Sequence, residues 1–449
     1  MRTQCASDGH FWQRLSSLQT SIEAATRLAN TFGFRTSVFV AMQPLEMDGR
    51  TLEGGGQLIR VALCISALIG RAVKIDNIRG NRSGGGGLKA QHLACVKWLA
   101  HACNAHVDGA EKGSKTLLFN PDTNRAGLSP AFKKNTIHGR AVYLCKLEIG
   151  TAGSTGLALQ AILPFVLFSR FPTQDPVQLT VSGGTNVSGS PSFEYVKYVL
   201  VPTLERIGLP PATIELQKRG WSHGGSNIGS YVLVMQPRKE MVLPAFELQQ
   251  IEPESLQSLS HLRVIFLGPK HCHEEFKSYF NWRTESQKSP WPDEADMELV
   301  CEDSGHDKRL YLFMAATIPW PPSSADSHST QRKQYVLGAD YLYDKKITKH
   351  ERAIKEMVDR VSSKMRSKWE SGSQIDEHMR DQLIIFQALA KGTSQIQDAE
   401  EPSLHARTAE WVAKKMLGVQ FDVEGNCEGN GFGACDDDLQ AKFETVKIS

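Results

Sequence analysis

EGGGQLIRVALCISALIG, residues 53 to 70, sets an acidic residue and three glycines ahead of an apolar run in which Arg60 is the one charged side chain. Glycines placed just before a helix leave backbone N–H groups open to an anion, with the helix dipole behind them and no side chains in the way. TAGSTGLALQAILPFVLF (151–168) and DEHMRDQLIIFQALAKG (376–392) follow the same plan: a Gly-rich or polar turn, then an amphipathic helix that carries a glutamine. Strand-like runs AVKIDNI, VQLTVSG and VQFDV flank these segments, and second helices are expected at QHLACVKWLAHAC, PSFEYVKYVLVPTLERIG and SLHARTAEWVAKKMLG. Either the helices merely resemble one another, or the chain repeats a helix pair over a sheet three times. A spacing of roughly 100 residues is domain-like rather than solenoid-like.

A chain of 449 residues exceeds what one core usually supports, and 22% charged against 41% hydrophobic residues argues against disorder as its main state. A net charge of +2 leaves nucleic-acid contact to a local basic patch. Nine cysteines without a CxxC pair fit reduced thiols in an intracellular protein. LALQAILPFVLF is too short to span a bilayer and carries Gln160 and Pro164, so no membrane role is expected. Residues 1–43 read as an extension, expected to be disordered. Arg2, Arg14, Arg27 and Arg35 against Asp8 and Glu23 give it a weak echo of a transit peptide, and organelle targeting is not expected. Repeats one and two would then occupy 44–243, an inserted module 244–336, the third unit 337–424, and a Gly/Asp-rich tail 425–449. The module is marked by the polar WPDEADMELVCEDSGHDKR and PWPPSSADSHSTQRK, with strands at HLRVIFLG and RLYLFMAATI and a helix at HCHEEFKSYFNW.

Several groups could carry chemistry. IRGNRSGGGG places Arg79 and Arg82 on a flexible loop, where the guanidinium fork suits phosphate oxygens; a tight turn with solvent-facing arginines would look the same. Glu53 could hold a divalent cation between phosphates, or be a helix-start charge favoured by the dipole. His378, Asp381 and Gln382 fall at i, i+3 and i+4, on one face of a helix start. His405 shares a helical stripe with Val412 and Met416, which should face inward; in a first turn the positive helix end favours a neutral, nucleophilic imidazole. His271, Cys272, His273 and Glu274 suggest a metal, but neighbours on a helix point to different faces, so one ion cannot collect all four.

As an ordered set, EGGGQLIR, IRGNR, QHL, TAGSTGLALQAILP, SGGTN, DEHMRDQLII and LHARTA resemble the RNA 3′-terminal phosphate cyclase family, from about Asp48 to Val423. The resemblance implies an α+β fold: three helix-pair units on four-stranded sheets, with a small α/β domain inserted before the third. It implies an ATP-dependent ligase, nuclear in location, that converts an RNA 3′-phosphate to a 2′,3′-cyclic phosphodiester with Mg²⁺ or Mn²⁺. His405 would be the nucleophile that takes AMP from ATP and passes it to the RNA end. ATP contacts would fall on Gln160, Pro191, His378, Asp381, Gln382 and His405. The phosphates and RNA end would meet Arg60, Arg79, Arg82, Gln91 and His92, and Glu53 would be the metal-associated acid.

The chain departs from the family pattern in places. His378 stands where tyrosine is commoner, SGGGGLKA carries an extra residue and lacks a proline, and KRGWSHGGSNIG brings Trp221 and His223. EGNCEGNGFGACDDD offers no clear closing strand. Two other readings compete: a non-catalytic relative serving ribosome assembly, which the presence of His405 opposes, and an adenylyltransferase acting on another phosphorylated nucleic-acid end.

Overall fold

The structure, a computed structural model, describes residues 43–123, 127–238, 242–252, 259–285, 296–319 and 334–433. Nearly all of the N-terminal extension and of PWPPSSADSHSTQRK lies outside the described residues.

The architecture is α+β, with helices packed on four mixed sheets that each contain a single parallel pair. In the first sheet β1 (Leu45–Asp48), β2 (Val73–Asp76), β3 (His106–Asp108) and β4 (Leu117–Asn120) take the order β1-β2-β4-β3. Between them run α1 (Gln57–Ile69) and α2 (Ala90–Ala102). Helix α1 is buried from Gln57 to Ala67 and stops at Gly70, whose φ of 71° accepts the left-handed C-cap. It is buried all round because α2 and the helices over residues 155–168 and 404–417 all pack against it.

The second sheet holds β5 (Lys133–Ile137), β6 (Arg140–Glu148), β7 (Val177–Gly183), β8 (Ala212–Lys218) and β9 (Gly229–Met235), in the order β5-β6-β7-β9-β8. Helix α3 (Thr155–Phe168) starts at Ser154, whose hydroxyl accepts from Leu157 N at 3.1 Å. Helix α4 runs continuously through Phe193–Tyr195, a π-helical turn Val196–Leu200 and Val201–Arg206. The wide turn ends two residues before Pro202, which has no N–H to offer the carbonyl of Tyr198.

The third sheet begins at β10 (Glu247–Leu248), inside the segment 244–336 expected as an insertion, so the chain joins this sheet before leaving it. Two residues are too few to leave a periodic signal in sequence. The module follows as β11 (His261–Gly268), α5 (His273–Glu285), β12 (Asp296–Asp303), β13 (Tyr311–Pro319), β14 (Gln334–Leu342) and α6 (His350–Glu370), with strand order β12-β11-β13-β14. The expected exit at 336 therefore falls within β14, and α6 completes the module. Alternation decides its packing. Val264, Phe266, Leu312 and Met314 share a core with Phe276 of α5 and Ile354 and Met357 of α6. Ile265, Leu267, Tyr311 and Phe313 face the main core instead.

The chain returns through α7 (Arg380–Leu389), β15 (Lys391–Ile396), α8 (Leu404–Leu417) and β16 (Asn426–Asn430), giving the order β10-β15-β16. β16 lies in the tail expected to lack a strand, whereas VQFDV contributes only an isolated bridge from Phe421 to Cys427. Polar NCEGN has no hydrophobic alternation, and its pairing with β15 comes from the backbone ladder.

Candidate nucleotide and RNA-end site

The first turns of α1 and α8 meet over the glycine loop. Glu53 Oε2 accepts from Gly55 N at 3.1 Å and Gln57 N at 3.3 Å. Its Oε1 accepts from the Arg82 guanidinium and lies 3.4 Å from His405 Nε2. The carboxylate is only 5% exposed. Burial alone would raise its pKa, but the hydrogen bond and charge of His405, with Arg82 and the Gln57 amide, outweigh this and hold it at about 2. A Cβ on Gly56 would lie 2.6 Å from His92 Nε2 and 2.7 Å from Arg60 Nη1, so glycine is what lets those two groups close on the loop.

One turn into α1, Arg60 Nε donates to Gln160 Oε1 at 2.8 Å, and its guanidinium also donates to Gln57 Oε1. Gln160 Nε2 donates in turn to Asp381 Oδ2 at 3.0 Å. This line of buried polar groups crosses α1, α3 and α7. Burial lowers the Arg60 pKa against the opposing charges of Asp381 and Glu53, and raises that of Asp381 against Gln160 and Arg60. Gln57 Nε2 is buried without a hydrogen-bond partner among the described residues. An unpaired buried donor costs about 1–3 kcal/mol, which an acceptor-rich ligand in the loop would offset.

His92 Nδ1 accepts from Lys89 N at 3.2 Å, which puts the proton of the neutral ring on Nε2, the atom facing Gly56. Burial, then Arg60 and Arg79, push this imidazole down to about 3. Gln91 Oε1 accepts from Ser154 N at 3.1 Å and ties the start of α2 to that of α3. Arg79 adopts a φ of 56° and donates through Nη1 to Gly87 O at 3.1 Å, closing its loop. Pro191 is buried beside Ser192, whose hydroxyl caps α4 by accepting from Tyr195 N at 3.0 Å and donates its own proton to Tyr311 Oη at 2.6 Å.

His378 lies just before α7 rather than in its first turn. Its Nε2 is 3.2 Å from Glu377 Oε1 and 3.5 Å from Asp340 Oδ1, and the Tyr195 ring meets it edge-on at 5.3 Å. Burial would lower its pKa; Asp340, then Glu377 and Asp376, raise it to about 9, so an imidazolium stands at neutral pH. Gln382 Nε2 donates to His378 O at 2.9 Å.

His405 departs from the inward orientation expected of its stripe. Val412 and Met416 are fully buried, but His405 is 48% exposed, because the first turn of α8 runs past the core and over Glu53. Ser403 caps this turn, accepting from Ala406 N at 3.2 Å. Three participants had escaped the sequence reading. Thr408 accepts from Glu53 N at 3.2 Å and holds the two helix starts together; its place three residues after His405 in LHARTA is the available signal. Gln57 lies in EGGGQLIR, where its residue type alone does not mark a role. Asp340, on a module strand, has no local signature.

Glu53 does not present a preformed cation site, since both its oxygens are engaged by donors. What the geometry does present is an accessible imidazole, two arginines and a glycine-lined helix start around one shielded carboxylate, an arrangement suited to holding phosphate charge.

The sequence profile of RNA 3′-terminal phosphate cyclase matches residues 51–423. The chain belongs to the RNA 3′-terminal phosphate cyclase family. Proteins named RNA 3′-terminal phosphate cyclase from Methanosarcina mazei and Pyrobaculum aerophilum are each 31% identical to it, over 380 and 381 residues. These alignments cover 85% and 84% of this chain and 97% and 94% of the relatives. One from Nitrosospira multiformis is 30% identical over 84% of this chain and 93% of its own length.

Proposed function

We propose that the chain is an ATP-dependent RNA 3′-terminal phosphate cyclase working through His405. The observation that carries this reading is the placement of a half-exposed histidine against Glu53 and Arg82 above the glycine loop. An imidazole nitrogen of His405 attacks the α-phosphorus of ATP; the N–P bond forms, the α–β phosphoanhydride breaks and pyrophosphate leaves. A 3′-phosphate oxygen of the RNA then takes the AMP and frees the histidine. The ribose 2′-hydroxyl closes on the 3′-phosphorus, losing its proton as AMP departs.

Each step has a protein group suited to it. Glu53 orients the ring and offsets the positive charge that the imidazole carries once phosphorylated. Arg60, Arg79, Arg82 and the free N–H groups before α1 fit phosphate charge, and Gln91 and His92 fit the RNA end. Gln160, Pro191, His378, Asp381 and Gln382 would frame the nucleotide. Mg²⁺ or Mn²⁺ would supply charge neutralisation on ATP, whose phosphates bring most of the oxygen ligands. Glu53 would join it only by giving up one of its donors.

We also read the chain as a threefold repeat. The orders β1-β2-β4-β3 and β6-β7-β9-β8 correspond, each with a parallel first pair joined by one helix and followed by a second, and β10-β15-β16 with α7 and α8 keeps the same sense. On this reading the module interrupts the third unit after its first strand.

The test is incubation with α-labelled ATP and a divalent cation, with and without RNA bearing a 3′-phosphate. An acid-labile label on the protein is expected, lost in His405→Ala and retained in His378→Ala. Equal labelling of His405→Ala would overturn the assignment. Labelling that RNA 3′-phosphate does not discharge, but another phosphorylated end does, would point to the adenylyltransferase reading.

A further inference from the structure

We propose that the module carries a transition-metal site, suited best to Zn²⁺, built from His271, Cys272 and His350. The sequence argument against a metal here concerned four consecutive residues on one helix, and for His273 and Glu274 it holds. His273 Nε2 donates to Gly268 O at 3.0 Å, and Glu274 pairs with Lys277 at 2.8 Å. His271 and Cys272, however, end a 3₁₀ turn, Lys270–Cys272, ahead of α5, and the third donor arrives from the first residue of α6.

One donor atom from each of the three residues lies within 4.8 Å of the others, and the two imidazole rings stand edge to face with centroids 5.0 Å apart. Metal–nitrogen bonds of about 2.0 Å and a metal–sulfur bond of about 2.3 Å require donors roughly 3.3–3.5 Å apart in a tetrahedron, so side-chain movements of about 1 Å suffice. His350 Nε2 donates to Asp307 O at 2.9 Å, which fixes its tautomer and leaves Nδ1 as the lone-pair donor. A ligating histidine is commonly held by such a carbonyl. Two imidazoles and a thiolate are a borderline-soft set that favours Zn²⁺ over Mg²⁺ or Ca²⁺. His271 also lines an open cleft of about 850 Å³ with Asp303, Asp307 and Lys308, from which water would supply the fourth ligand. The ion would fasten the β11–α5 turn to the start of α6, apart from the His405 site.

The probe is Co²⁺ added to the untagged full-length chain, read by absorption. A thiolate-to-cobalt charge-transfer band with tetrahedral visible bands is expected, saturating at a single equivalent and displaced by Zn²⁺. Cys272→Ser and His350→Gln should abolish the band, and His273→Gln should keep it. Because Cys272 is fully buried, a folding failure of Cys272→Ser is covered by a second measurement. Metal analysis after gel filtration of zinc-loaded protein should find one zinc in the wild type and none in His350→Gln. Absence of the band in folded wild type, its survival in His350→Gln, or its equal loss in His273→Gln would overturn the site.

Discussion

Replacing Asp340 with Asn tests whether the module conditions the proposed nucleotide pocket through charge. His378 is held at about 9 against an ordinary 6.5, a difference of about 2.5 units. At 1.36 kcal/mol per unit, this corresponds to about 3 kcal/mol of stability for the protonated form. Because the folded value is raised, the contribution is complete below about pH 6.5 and is lost as pH rises through about 9. Burial would raise the Asp340 pKa, but His378 outweighs it and holds it below 3.8, so the same pair also weakens in acid, as pH falls below that value. In Asp340→Asn, burial acts against the imidazolium with Glu377, Asp376 and Asp381 opposing it, and most of the alkaline limb should disappear. Urea midpoints measured from about pH 6 to pH 10 on both proteins would expose the difference, with other titrations common to the two cancelling. Tyr311→Phe removes one hydrogen bond of 2.9 Å to Asp340 while leaving its charge, and should keep the limb. The reasoning fails if wild type and Asp340→Asn lose stability in parallel above pH 7.

Two further substitutions address the scaffold of the site. Gly56→Ala has a permitted backbone, with φ −88°, but its methyl group meets His92 and Arg60, so it should cost about 1–3 kcal/mol and slow His405 labelling roughly 100-fold. Gly84→Ala, with nothing within 4 Å of its Cβ, is the control, and equal labelling rates for the two would refute the close approach. Asp398→Ala strands the Lys368 ammonium, whose 3.2 Å partner it is, with both side chains 8% exposed. The loss should be about 3 kcal/mol in denaturant midpoints, low in its range because Glu400 also lies 3.2 Å away, and wild-type stability would refute it.

The sequence was legible where local chemistry and final position agree. The run 155–168 is apolar on every side because it is buried on every side, and VQLTVSG alternates because alternate residues of β7 enter the core. It was opaque where position depends on distant chain. NCEGN pairs as a strand on backbone alone, with Cys427 its one buried side chain. β10 is two residues, and the boundaries at 244 and 336 were drawn from changes in composition, which do not register a strand ladder.

The site divides along the same line. The glycines and Arg60 of EGGGQLIR announce themselves because an anion-holding helix start needs those residue types in one short stretch. Asp340 and His350 do not, since their partners His378 and His271 come from other elements and no spacing rule links them. His405 shows both sides at once. Its stripe with Val412 and Met416 was read correctly as periodicity, yet the stripe reports direction around the helix and not distance along it. The first turn overshoots the core, and there an inward-facing position becomes a solvent-facing one beside Glu53. That overshoot leaves the ring accessible to a nucleotide while a shielded carboxylate holds its orientation, which a fully packed histidine could not combine.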